Sequence, residues 1–191
     1  MSTTDKRSYA EMEPVARQLL AELRPCCERI DVAGSFRRQK PLVGDLEIIA
    51  IPMQQLNLFG DPGDVTEVDV WLANAITSGK VHVLANGPKQ KKFVWVQHQV
   101  QVDMYLQPDP RTWGVNMVLR TGSDRFCRWL VTSRDKGGAR PPSLSMREAL
   151  VYSGVDVVVD TDSEEKFLSA WGLPWIEPSC RENYPPASNW R

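Results

Sequence analysis

Two runs decide the fold: Gly34-Ser35-Phe36-Arg37-Arg38, and shortly after it Gly44-Asp45-Leu46-Glu47-Ile48-Ile49-Ala50-Ile51-Pro52. The second reads as a β-strand over 45–51 that Pro52 ends. Side chains two apart on a strand share a face. Asp45 and Glu47 therefore project together, while Leu46 and Ile48 point the other way. Two carboxylates on one face repel unless something cationic sits between them. A pair of Mg²⁺ ions, for which Mn²⁺ substitutes, is the natural counter-charge for such oxygen donors. The Gly34-Ser35 turn offers the complementary chemistry, with backbone N–H groups and a hydroxyl turned toward an anion. Arg38 adds a forked guanidinium suited to phosphate oxygens.

A third carboxylate lies further on, in Val100-Gln101-Val102-Asp103-Met104-Tyr105-Leu106. Val100, Val102, Met104 and Leu106 alternate with Gln101, Asp103 and Tyr105, so this segment reads as a strand with one apolar face. Were it to lie beside the 45–51 strand, Asp103 would complete a three-carboxylate cup. A cup of that kind suits two-metal chemistry, in which one ion activates an attacking hydroxyl and the other holds a triphosphate.

Around these strands the periodicity predicts helices over 8–23 and 64–76, the second with Asp64 as N-cap. A short strand is expected over 30–33, and further strands over 81–85, 93–98 and 100–106. Beyond the prolines at 108 and 110, helices are expected over 112–119, 123–136 and 163–171, with strands over 149–152 and 155–159. The fold class is thus α+β. A first domain, 1–108, carries a mixed sheet with helices on one face and holds the carboxylates. A second, 109–191, is a small α/β lobe.

Composition sets the outer bounds. The chain of 191 residues is 42% hydrophobic and 25% charged with net charge −1, a globular balance without an overall basic bias. Cys26, Cys27, Cys127 and Cys180 form no Cys-x-x-Cys pair, so free buried or half-buried thiols are expected rather than structural zinc. No stretch is apolar over a membrane-spanning length and the first residues lack a signal-peptide core, which leads to the expectation of a cytoplasmic protein. His82 and His98 lack metal-ligand spacing. Trp113, Trp129, Trp171 and Trp175 fit packing positions.

Read together, these motifs resemble the nucleotidyltransferase superfamily, and more closely the family X DNA polymerases, the polymerase beta group. Gly34-Ser35-Phe36-Arg37-Arg38 stands at family spacing from Gly44-Asp45-Leu46-Glu47. Gly87-Pro88-Lys89-Gln90-Lys91-Lys92-Phe93-Val94 resembles the family's Gly-x-x-Lys hairpin, and Thr121-Gly122-Ser123-Asp124 its nucleotide-binding turn. Gly172-Leu173-Pro174-Trp175-Ile176-Glu177-Pro178, then Arg181-Glu182, resembles its C-terminal signature. The matches run in order over 8–183.

The resemblance implies a palm followed by a nucleotide-binding lobe, a minimal form without the lyase and helix-hairpin-helix domains. It implies that Asp45, Glu47 and Asp103 bind two Mg²⁺ ions, with Asp103 helping to activate the primer 3′-hydroxyl. Gly34, Ser35, Arg38 and Gly44 would hold the triphosphate. Leu119, Arg120, Thr121, Gly122, Ser123, Asp124 and Cys127 would lie about the sugar and base of a deoxynucleoside triphosphate. Lys89, Lys91, Lys92, Arg125 and Arg128 would meet primer-template or gapped DNA. A monomer is implied. Three features, at four positions, depart from the family. Glu47 replaces an aspartate, Leu119-Arg120 replaces an aromatic pair that screens the ribose, and Cys127 stands where an asparagine is usual. Glu47 and Leu119-Arg120 keep a second enzymatic reading open: template-independent transfer, or transfer to an RNA or small-molecule acceptor. A catalytically silent clamp- or DNA-binding module is a third.

One more segment, Gln55-Leu56-Asn57-Leu58-Phe59, resembles the bacterial sliding-clamp-binding peptide. Gln55 would hydrogen-bond at a pocket rim, with Leu56 beside it, and Leu58 and Phe59 would anchor in an apolar pocket. Tethering of this kind raises effective concentration without added DNA contacts, and it points to a bacterium or a virus within one.

Overall fold

The computed structural model describes residues 6–56 and 62–185. They form two compact units. One runs to Phe36 and resumes over Lys40–Pro108; the other comprises Arg37–Gln39 and the chain from Asp109. The sequence reading places a boundary at the same proline but assigns Arg37–Gln39 to the first domain.

The first unit opens with β1 (Arg7–Ser8) and α1 (Tyr9–Leu23). Ser8 caps α1 through a reciprocal box: its hydroxyl accepts from the Glu11 amide at 3.3 Å, and the Glu11 carboxylate accepts from the Ser8 amide at 2.9 Å. Met12, Val15, Ala16, Leu19 and Leu23 recur at three- and four-residue spacing and form the buried stripe. Next come β2 (Cys27–Val32), the one-turn α2 (Gly34–Arg37), β3 (Leu42–Val43), which pairs with β1, and β4 (Asp45–Pro52). A small antiparallel pair follows, β5 (Gln54–Leu56) with β6 (Pro62–Thr66).

Helix α3 (Glu67–Thr77) starts later than the sequence predicts. Thr66 and Asp69 form its capping box, with Thr66 Oγ1 accepting from the Asp69 amide at 3.2 Å and Asp69 Oδ2 accepting from the Thr66 amide at 2.9 Å. Asp64 instead sits in β6. The last three strands are β7 (Val81–Asn86), β8 (Gln90–Trp95) and β9 (Val100–Leu106).

The five-stranded sheet runs β2-β4-β9-β8-β7. Only β4 and β9 are parallel; the other three pairings are antiparallel. Helices α1 and α3 supply Met12, Leu19, Val68 and Leu72 to the same core as Leu46, Ile48, Val102 and Met104. They therefore cover one face of the sheet, the face opposite the carboxylates.

The second unit has its own core. Helices α4 (Trp113–Thr121) and α5 (Asp124–Val131) precede an antiparallel meander of β10 (Leu144–Arg147), β11 (Leu150–Ser153) and β12 (Val157–Val159), then α6 (Glu164–Ala170). Val115, Val118, Phe126, Leu130, Phe167 and Trp171 are buried together. Helix α5 stops at Val131, five residues before the predicted end. The chain beyond it pairs with a returning segment instead: the amides of Ala139 and Arg140 donate to the carbonyls of Trp129 and Thr132, each at 2.9 Å. No helix among the described residues is long and apolar enough to cross a membrane. All four cysteines are free; Cys27 is buried, Cys26 and Cys127 half-buried, and Cys180 exposed, unlike the sequence expectation for it. Trp113, Trp129 and Trp171 are buried, whereas Trp175 is 40% exposed.

Candidate active site

The parallel pairing of β4 with β9 sets the site. Its register puts Asp45 opposite Gln101, Leu46 opposite Val102, Glu47 opposite Asp103 and Ile48 opposite Met104. Leu46, Ile48, Val102 and Met104 are buried in the core. By the two-residue alternation, Asp45, Glu47 and Asp103 share the other face. Asp103 is 8% exposed, yet it belongs to the carboxylate face and not to the apolar interior.

Neighbouring groups determine how these carboxylates lie. The amide of Ala33 donates to the Glu47 carbonyl at 2.7 Å, tying the strand to the Gly34 turn. Gly34 has φ +64°, and a Cβ built on it would fall 1.7 Å from Glu47 Oε2. Glycine is thus required twice, for the left-handed backbone and for the carboxylate packed against it. The Lys40 amide donates to the Ser35 carbonyl at 3.1 Å and closes the turn. Gly34→Ala is expected to lower stability by about 1–2 kcal/mol, the cost of a left-handed L-residue, and to displace Glu47. Urea unfolding measures the first effect; an unchanged midpoint would contradict it.

Across the sheet, Lys92 of β8 lies opposite Asp103. Its ammonium stands 3.2 Å from Asp103 Oδ1 and donates to Oδ2 at 3.4 Å, where Gln101 also donates at 3.4 Å. Oδ1 itself is buried and accepts no hydrogen bond of acceptable geometry. The cup expected from the sequence is not closed in this arrangement. Glu47 lies against Gly34, Lys92 lies against Asp103, and no three acidic, His or Cys side chains among the described residues are disposed to hold a metal. The donor set nonetheless fits a hard divalent cation. It offers the carboxylate oxygens of Asp45, Glu47 and Asp103 on one sheet face, one of them buried with no well-formed hydrogen bond among the described residues.

Burial, and then the nearby Asp103, raise the Asp45 carboxyl above its ordinary 3.8, with Lys92 and the backbone amide only partly opposing them. A raised acid pKa means that the folded state binds the proton more tightly than the unfolded chain does. Ionised Asp45 therefore costs stability above its unfolded pKa, and the cost is relieved as pH falls through the folded value. Asp45→Asn is expected to melt higher than the native protein at neutral pH in chelator. The gap should close on acidification below the ordinary carboxylate range. Calorimetry across that pH span checks both halves.

The sequence places Lys91 with the DNA-contacting lysines, and the structure corrects this. Lys91 shares the inward face of β8 with Phe93 and Trp95, is 3% exposed, and donates to Asp69 at 2.5 Å and Asn86 at 2.7 Å. Lys89 is exposed and Lys92 half-buried. The 93–98 strand is likewise shifted, because 96–99 form the turn into β9.

In the second unit, Thr121-Gly122-Ser123-Asp124 links α4 to α5 through Gly122 at φ +77° and a cis Gly122–Ser123 peptide. Ser123 caps α5 and donates to the Arg181 carbonyl at 3.2 Å; Asp124 is exposed. Arg38 Nη1 donates to the Thr121 carbonyl, and Arg38 Nε pairs with Glu182 at 2.6 Å. A Cβ on Gly122 would lie 2.8 Å from Arg38 Nη1. The arginine expected to grip phosphate is thus held at the turn by an internal carboxylate. Leu119 packs on the second core, and Arg120 is exposed. Burial pushes the Cys127 thiol up to about 11, and its Sγ donates to the Leu119 carbonyl at 3.2 Å. Arg125 donates to the Pro185 carbonyl at 3.2 Å, and Arg128 pairs on the surface with Asp124 at 2.9 Å.

One cluster that holds this turn carries no local signature in the sequence. Glu164 is 7% exposed and receives Arg37 through both carboxylate oxygens. It also accepts from Arg181 at 3.0 Å. Arg181 is fully buried, and its Nη1 has no hydrogen-bond partner among the described residues. In the sequence, Glu164 reads as a solvated acid in a helix's first turn, and nothing local marks its burial.

The five-stranded mixed sheet and its helices define a mixed α+β fold like that of a polymerase beta. No protein-family model matches the sequence, and no curated protein matches it. Among solved structures the chain is similar to polymerase beta of Leishmania infantum in a ternary P/T complex. The TM-score is 0.70 over 94% of this chain and 77% of that one, at 17% identity. At that identity the likeness establishes the fold.

Proposed function

We propose that this protein is a DNA-directed DNA polymerase of the family X type, adding deoxynucleotides to a primer 3′-hydroxyl at short gaps. The observation that carries the reading is the β4–β9 register, which puts Glu47 directly opposite Asp103 with Asp45 on the same face. Two Mg²⁺ ions held by Asp45, Glu47 and Asp103 would supply Lewis-acid activation of the hydroxyl and charge neutralisation at the pyrophosphate. Asp103, with Lys92 and Gln101 beside it, would accept the proton of the primer 3′-hydroxyl on a carboxylate oxygen as that hydroxyl attacks. Gly34 and Ser35 present the backbone turn to phosphate, and Arg38 exchanges Glu182 for phosphate oxygens.

Primer extension on gapped and recessed DNA with Mg²⁺ and deoxynucleoside triphosphates tests this. Incorporation dependent on the templating base supports it; none on any such substrate contradicts it. The second enzymatic reading, transfer without a template or to an RNA or small-molecule acceptor, is favoured by Glu47 and by Leu119. Leu119 packs into the second core and offers no aromatic screen against a ribose. Parallel assays with single-stranded primers and ribonucleotides separate the two.

The clamp-like segment begins on β5, where Gln55 is half-buried, and Asn57, Leu58 and Phe59 lie outside the described residues. The flanking strands pair antiparallel, with Gln54 opposite Thr66. The accompanying proposal is that this hairpin binds a bacterial sliding clamp. Gln55→Ala with Leu58→Ala is expected to abolish retention on immobilised clamp; undiminished retention would remove the idea.

A further inference from the structure

We infer that Lys92 is a built-in counter-cation for the carboxylate face, holding Asp103 in place when no divalent cation is bound and competing with that cation when one arrives. The inference rests on the proposed metal-binding role of Asp45, Glu47 and Asp103.

Strand geometry puts Lys92 in this position. The run Gln90-Lys91-Lys92-Phe93-Val94-Trp95 alternates faces, so its two adjacent lysines have opposite fates. Lys91 turns into the core side and is spent on Asp69 and Asn86. Lys92 turns to the carboxylate side and lies in register with Asp103. Its ammonium is 3.2 Å from Oδ1 and 3.4 Å from Oδ2 of that residue, and its side chain is 35% exposed against 12% for Asp103. The half-buried side chain can turn its ammonium toward water, whereas Asp103 is nearly buried on its strand with Gln101 donating at 3.4 Å. The pair is therefore asymmetric: the ammonium belongs to the more exposed side chain and the carboxylate to the more buried one.

That asymmetry suits a placeholder. A carboxylate pair with no cation beside it would push apart or take up a proton. A fixed arginine in the same place would oppose a metal permanently. A flexible lysine holds the oxygens near their working positions and leaves when a stronger cation enters. Carboxylates that ligate metals are commonly oriented by such outer partners, and losing one changes metal affinity by about 10–100-fold. Here the partner bears the metal's own sign of charge, so its removal acts in the opposite direction and tightens binding.

The test uses Mn²⁺ alone, its free concentration read by electron paramagnetic resonance, with native protein, Lys92→Met, Lys92→Arg and Asp103→Asn. Lys92→Met should bind Mn²⁺ about tenfold more tightly than native protein, on the scale of outer-partner effects. Lys92→Arg should bind as the native protein does or more weakly, and Asp103→Asn much more weakly. A thermal double-mutant cycle in chelator needs no metal: Lys92→Met should lower the melting temperature, and adding Asp103→Asn should restore most of the loss. Mn²⁺ binding to Lys92→Met equal to native, or weaker, overturns the counter-cation role while leaving the carboxylate site standing. Additive melting losses in the cycle do the same. Failure of every protein to bind Mn²⁺ removes the metal site and this inference together. A lysine whose role is instead to contact DNA phosphates would weaken DNA binding on loss and leave Mn²⁺ affinity unmoved, which counts against the proposal.

Discussion

Asp103→Ala is expected to lower nucleotide incorporation by at least about 10³-fold while leaving the fold intact, the scale seen when a group acting directly on transition-state charge is removed. Its strand partners explain why the fold survives. Val102 and Met104 stay buried on either side, and the β4–β9 ladder uses backbone groups alone. Lys92 loses its partner, but its half-exposed ammonium can be solvated. Asp45 loses a repulsive neighbour. Single-turnover primer extension with the native protein and this variant, beside matched melting curves, measures both halves. A variant that extends primers within tenfold of native would show that Asp103 does not touch the reacting atoms.

Glu164→Ala should have the largest effect on stability, a loss of about 3–5 kcal/mol, the usual cost of breaking a buried ion pair from one side. Among the described residues Glu164 is the acid paired with Arg181, and it also takes both arms of Arg37. Its loss strands a guanidinium that is fully buried and already short of one hydrogen-bond partner. For a chain of this size each kcal/mol moves the melting temperature by about 2–4 °C, so the transition of the second unit should fall well before the first. Since Arg37 also donates to Thr121 Oγ1 at 3.0 Å, the Thr121–Asp124 turn should loosen with it. Circular dichroism melting reads the outcome; an unshifted transition would mean that water solvates Arg181.

How much was legible in the sequence follows the range of each interaction. The faces of β4 and β9 were readable because strand alternation is a local property. That the two strands are parallel neighbours with Glu47 opposite Asp103 is a pairing fact that no window of residues contains. The Thr66–Asp69 box begins two residues beyond Asp64, and pairing of Asp64 into β6 is what leaves the cap to Thr66. Helix α5 was overextended because its true end is set by the returning segment at 139–140, a tertiary competitor for backbone hydrogen bonds. Lys91 and Lys92 look alike in sequence, and only the register of β8 separates a core ion pair from a site residue. Glu164 was invisible for the same reason: its burial depends on two arginines, one of them 127 residues away.

The most direct measurement is anomalous X-ray scattering from crystals soaked with Mn²⁺ and a non-hydrolysable deoxynucleoside triphosphate. The account predicts an Mn²⁺ peak with Asp45 and Asp103 oxygens at about 2.1–2.2 Å, near the distance for small divalent cations, and the Lys92 ammonium withdrawn from Asp103. Mn²⁺ absent from this face at saturating concentration, with Lys92 still seated on Asp103, would contradict it.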